Sequence, residues 1–327
     1  MSERNAENGI IRGARRLVEV NGRVAEGETV VVVTDPELER YAPMIADECR
    51  TRGANVTTCL IPVRIQDGQE PPDEVTKAMV EADVIFSPVS ISITHTRAMR
   101  SALDAGARAI LMTAYTDEIL NSDALLETDF HAQAEVCKRI GAAFTDGRQV
   151  RLTSPRGTDL QFSIEGRTAN VLTNVPEPGE LAPVPDIEVN VVPVTGTASG
   201  VLIADASVPY LGIGILEEPI VCDVVEGYIT DMRGGPQASQ LRRRLESFGD
   251  RNCFNVAELG VGLNPNARLT GEMLEDEGVL GTIHIGIGTS HTLGGEIVAP
   301  THYDLLMWAP TIEVDGRVIQ RDKEVLV

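Results

Sequence analysis

Glu28–Thr34 reads ETVVVVT, and this run decides the fold class of the first half of the chain. Four consecutive valines leave no polar side, which suits a strand buried on both faces in a parallel sheet covered by helices. Asp35-Pro36 follows as N-cap and first residue of a helix expected to reach Arg52, where Gly53 ends it. Before the strand, residues 9–26 carry apolar positions at helical spacing. After it, strands are expected at Asn55–Pro62, Asp83–Pro88 (DVIFSP) and Arg108–Thr113 (RAILMT), with helices over 72–81, 94–105 and 117–141. That alternation predicts an open Rossmann- or flavodoxin-like α/β layer with a parallel sheet.

The loop after the first strand is TDPELER, and neither GxGxxG nor GxxxxGK[ST] occurs, so no dinucleotide cofactor is expected. His95, in ITHTRAM, stands at the strand-end side of such a sheet, where an N-terminal capping turn accounts for it. From Gln149 onward the texture changes to short β-runs separated by glycine and proline, with helix expected only over Gln237–Phe248 and 271–277. The reading is therefore α/β plus α+β, with a first domain over 1–148 and a β-rich second domain over 149–327.

The formal net charge of −21 argues against nucleic acid and anionic membrane surfaces as partners. No apolar run is long enough to span a bilayer, and MSERNAENGIIRGARRL lacks the apolar core of a secretory signal. Cys49, Cys59, Cys137, Cys222 and Cys253 show no CxxC spacing and read as reduced thiols of a cytoplasmic protein.

Three of the five histidines fall within Gly281–Asp304, GTIHIGIGTSHTLGGEIVAPTHYD. His302 and Asp304 stand two apart, so on a strand both side chains share one face. An imidazole and a carboxylate aimed from one face suit a divalent transition metal, and His284 can add a third ligand from a neighbouring strand. Glu188 in IEV and Glu258 in VAELG are acids inside apolar runs, where a metal ion is one of the few partners that offsets desolvation.

AELGVGLNPNAR (257–268), DEGVLGTIHIGIG (276–288), the Gly294-Gly295 pair and the closing HYD resemble the C-terminal domain of the aminopeptidase T family of metallopeptidases. The resemblance implies an N-terminal α/β domain, a β-rich catalytic domain and a homodimer or higher homo-oligomer. It also implies a site for one or two divalent ions, zinc first, with cobalt, manganese or iron as alternatives. By this resemblance the first glutamate falls on Glu188 in IEVNVVPVTG, with Glu180 in PGELAP competing. The second falls on Glu258, the histidines on His284 and His302, and the aspartate on Asp304. The family's tyrosine position holds His291, a departure that leaves it a weak ligand or a proton donor.

The chain is similar as well to the iron(II)-dependent 2,5-dihydroxypyridine dioxygenases. Their facial triad has histidine where Glu258 stands, followed by the same His-x-Asp, and they lack a counterpart of His284. The carboxylate and the additional histidine favour the hydrolytic set. The expectation is thus a metallohydrolase cutting a peptide or a small, even cyclic, amide, with Glu188 and His291 handling protons. Alternatives are ring-cleaving dioxygenation at one iron and a metal-free binding protein on the same fold.

Overall fold

The computed structural model describes residues 3–327, with side chains from residue 9 onward. The chain divides into two units, one of residues up to Ala134 plus Leu172–Pro185, the other of Glu135–Val171 plus Asp186–Val327. The single boundary expected at 148 is therefore replaced by three crossings. Two features cause this. The helix Phe130–Asp146 straddles the first crossing, and Leu181–Pro183 returns to pair in parallel with Arg108–Leu111 as a fifth strand of the first unit's sheet.

That sheet runs Asn55–Leu60, Thr29–Thr34, Val84–Ser87, Arg108–Leu111, Leu181–Pro183, all in parallel. This is the flavodoxin-like order 2-1-3-4-5. Thr29–Thr34 is buried from Val30 on, as its valines require. The helix after it starts at Ala42 instead of Pro36. Pro43 explains the delay: it lacks an N–H and is tolerated only in a first turn, so no helix can run through it from Pro36. Asp35 instead accepts from Glu37 N and Leu38 N, and its second oxygen takes Ser90 N and Oγ at 2.7 and 2.6 Å. Residues 117–141, expected as helix, form Asp117–Leu120, Asp123–Leu126 and Phe130–Asp146.

The second unit holds two larger antiparallel sheets. The eight-stranded one alternates buried and exposed positions, as in Gln149–Thr153 and Ile220–Val225, so one face is packed and the other wet. The five-stranded one runs His302–Trp308, Thr282–Gly288, Val256–Gly262, Glu188–Val191, Asn170–Leu172. Its Val256–Gly262 and Thr282–Gly288 strands are buried at every position. A polar residue there faces no water, and every acid on it needs a partner inside the protein. Among the described residues no helix is long and apolar enough to cross a membrane.

Candidate metal centre

Strand register assembles the site. Glu258 pairs with Gly286, which pairs in turn with Asp304; two residues along, His284 pairs with Gly260, which pairs with Asn190. Directly opposed residues share a sheet face, and residues two apart do so as well. Glu188, Asn190, Glu258, His284, His302 and Asp304 therefore project from the same face.

Glycine makes room for the rings. A Cβ on Gly260 would lie 1.9 Å from His284 Nε2, and one on Gly286 would lie 2.6 Å from His302 Nε2 and 2.8 Å from Glu258 Cβ. Both imidazoles thus lie over bare backbone on the next strand. Gly286 stands in the middle of its strand, under the His302 ring.

His284 Nε2 is 3.2 Å from Glu188 Oε2, 3.8 Å from Glu258 Oε1 and 4.0 Å from Asp304 Oδ1. His302 Nε2 is 2.9 Å from Glu258 Oε2 and 3.4 Å from Asp304 Oδ1. Two groups of ligand atoms result, Glu188–Glu258–His284 and Glu258–His302–Asp304, each with its atoms within 4.8 Å of one another. Glu258 belongs to both.

Each outer carboxylate is held on one side only. Asn190 Nδ2 donates to Glu188 Oε1 at 2.7 Å, and Tyr210 Oη lies 2.8 Å from Asp304 Oδ2. Their other oxygens, Glu188 Oε2 and Asp304 Oδ1, are buried without a hydrogen-bond partner among the described residues. His302 Nδ1 is 2.7 Å from the Thr289 carbonyl, which only accepts, so Nδ1 carries a proton and Nε2 is the nitrogen that could ligate. Buried carboxylate oxygens whose nearest polar neighbours are imidazole nitrogens make the mixed O and N donor set that a divalent transition metal takes.

The charge count agrees. Asp186, Glu188, Glu258, Glu277 and Asp304 are all less than a tenth exposed, and the two imidazoles can offset at most two of their charges. Burial pushes Glu188 up to about 7, His284 opposing and Glu258 reinforcing. Burial and the neighbouring carboxylates hold Asp186 and Glu277 well above the usual range, Glu188 adding most to the first and Asp304 to the second. Burial also acts on Asp304 and Glu258, but His302 draws the first below its ordinary value and His284 with His302 draw down the second. Against burial, Glu258, Glu188 and Asp304 raise His284 to about 10, and Asp304 with Glu258 raise His302 as well.

The five residues expected as ligands are therefore brought together. Glu180 is not one of them: it is exposed, in the other unit, and accepts from Glu177 N. His291 stands outside both groups, exposed at the start of the turn His291–Leu293. It follows the end of the strand Thr282–Gly288, so register no longer fixes it on the ligand face. Sequence reasoning missed Asp186, Glu277 and Tyr210, which extend the cluster: Asp186, Glu188 and Glu277 form a third close group, and Tyr210 Oη also lies 2.9 Å from Glu277 Oε1. The D-x-E-x-N spacing of Asp186, Glu188 and Asn190 was a usable signal, polar at every second position before an apolar run. Tyr210 in VPYLG carries no such mark.

Comparison with known proteins places this centre in context. The profile of the 2,5-dihydroxypyridine 5,6-dioxygenase family matches residues 15–327. A 2,5-dihydroxypyridine 5,6-dioxygenase of Pseudomonas putida is 24% identical over 257 residues, covering 74% of this chain and 71% of its own. The solved structure of the dihydroxypyridine dioxygenase from Pseudomonas putida KT2440 superposes with a TM-score of 0.84 at 18% identity, over 97% of this chain and 96% of that one. Wild-type AmpT from Thermus thermophilus superposes with a TM-score of 0.69 at 16% identity, over 98% and 100%. The fold is thus that of aminopeptidase T, as the sequence motifs implied.

Proposed function

Because this chain belongs to the 2,5-dihydroxypyridine 5,6-dioxygenase family, we propose that it is a metal-dependent enzyme acting on a small nitrogen-containing molecule, and that it hydrolyses a C–N bond. The observation that carries the hydrolytic reading is Glu258. Its two oxygens face two different imidazoles, Oε1 toward His284 and Oε2 toward His302, so Glu258 would be able to serve both groups of donors. Glu188, His284 and Glu258 would hold one ion, and Glu258, His302 and Asp304 the other. Such ions, when bound, lower the pKa of water and polarise a carbonyl.

The rest is the work of side chains. Asn190 and Tyr210 turn Glu188 and Asp304 so that one oxygen of each is presented to the centre. Thr289 fixes the tautomer of His302. Proton transfer falls to the flank of Glu188, Asp186 and Glu277, whose oxygens lie within 4.8 Å of one another. The exposed His291 is left to the substrate side of the loop. Burial of the centre suits a small or cyclic amide.

The family match supports a second reading, ring opening by dioxygen at a single iron. In that reading the histidine expected at position 258 is replaced by glutamate, and His284 supplies the second imidazole. Metal analysis and an oxygen electrode, run with a panel of aminoacyl and cyclic amides beside dihydroxypyridines, separate the two. Amide cleavage without oxygen uptake, with two ions per chain, is expected. One iron per chain with oxygen consumption would establish the second reading instead.

A further inference from the structure

Glu188 is not oriented by its own strand alone. Asn190 Nδ2 donates to Glu188 Oε1 at 2.7 Å, and because a carboxylate only accepts, this fixes which end of the amide faces it. Asn190 Oδ1 then faces away and accepts from Asn170 Nδ2 at 2.7 Å. The second N–H of Asn170 reaches the carbonyl of Leu293 at 3.2 Å. An unbroken chain of hydrogen bonds thus runs from the loop after Gly288, through two asparagines on neighbouring strands, to the outer carboxylate of the centre.

That loop is seated by other means as well. Arg167 grips Glu296 through both oxygens at 2.6 and 2.7 Å, and Thr195 Oγ1 donates to the same carboxylate at 2.8 Å. Gly295 lies so close to the body of the unit that a Cβ there would come 2.8 Å from Val192 Cγ1 and 2.3 Å from Ser290 Oγ. Ser290 N and His291 N both donate to Ile297 O, closing the loop on itself. Its first residue, Thr289, is the one whose carbonyl holds His302. The loop therefore touches the centre at both outer ends, at His302 directly and at Glu188 through the asparagines, and it carries His291 on its exposed side.

We propose that Asn190 and Asn170 are positioning residues that couple the seating of the loop 289–301 to the orientation of Glu188, so that cation binding and loop closure reinforce each other. This rests on the reading of Glu188 as a ligand. With the loop seated, Asn170 holds the Asn190 amide in the one orientation that takes Glu188 Oε1 and leaves Oε2 for the cation. With the loop lifted, Asn170 loses the Leu293 carbonyl and that orientation is no longer enforced.

The test uses the full chain, zinc as the probe, competition with a chromophoric chelator for affinity, and amide hydrogen exchange over residues 290–297. In the unaltered protein, zinc should slow exchange of the 290, 291, 295 and 297 amides. Asn190→Ala should weaken zinc about ten-fold or more, the range for residues that orient a ligand. Asn170→Ala should weaken it less, but should abolish the zinc-dependent slowing in the loop, which a merely structural role would not do. If Asn190→Ala fails to fold, Asn190→Asp keeps the volume, turns an acceptor toward Glu188, and should show the same loss. Full zinc-dependent protection in Asn170→Ala, or unchanged affinity in the Asn190 variants, overturns the coupling. Glu188→Gln separates the causes: if it too binds zinc normally, the assignment of Glu188 as ligand has failed; if it alone is weakened, only the coupling has.

Discussion

At the scale of single residues, the centre depends as much on what is missing as on its ligands. Gly260 sits under His284, and a methyl there would overlap the Nε2 position at 1.9 Å. Gly260→Ala must therefore displace the ring or part the two strands. We expect a folded protein that loses the ion beside His284, read as a fall of one ion per chain in metal analysis. Retention of full stoichiometry would show that the ring has another resting place. Tyr210 tests the opposite kind of contact. Tyr210→Phe removes the hydroxyl that meets Asp304 Oδ2 at 2.8 Å and leaves a buried charged oxygen without it, which costs about 1–3 kcal/mol. Urea denaturation of the metal-free protein should show that loss.

At the scale of elements, legibility in the sequence followed burial. ETVVVVT announced a doubly buried parallel strand because its side chains leave no alternative, and THYD announced an imidazole and a carboxylate on one face because period two is built into any strand. The parts not legible were long-range. Nothing in PGELAP marks a segment that returns to the first sheet, and nothing in AELGVG says that Gly260 would face His284, since register is a property of pairing and not of either strand. His291 lies outside both groups for a related reason: the strand that carries His284 ends at Gly288, and a residue beyond it is no longer held to that face. The loop that carries it is tied by Arg167 and Glu296. The pairing with Arg167, joined by Thr195, holds the Glu296 carboxyl down to about 2. A depressed carboxylate contributes stability that is present above its unfolded pKa, about 4.3, and is lost as pH falls through about 2. The Glu296 side chain is 60% exposed, so screening keeps the contribution below about 1 kcal/mol. Arg167→Ala should lower stability slightly at pH 6 and by less at pH 2, measured by denaturation at both.

At the scale of the whole molecule, a centre with more buried acid than base is a liability until cations fill it. In the metal-free chain His284 is raised to about 10. A raised histidine contributes stability that is fully present below its unfolded pKa, about 6.5, and is lost as pH rises through about 10. Cations must displace that proton, so their binding strengthens as pH rises. Chelation should therefore lower Tm more at pH 9 than at pH 6, and an equal drop at both would mean that no histidine proton is exchanged. The central claim is that Glu258 is shared between two cations. Its most direct measurement is metal stoichiometry, with anomalous scattering at the site, for the unaltered chain and for Glu258→Gln. Two ions per chain flanking Glu258 are expected, falling to one or none in the variant. A single ion that stays in place when Glu258 is replaced would contradict it.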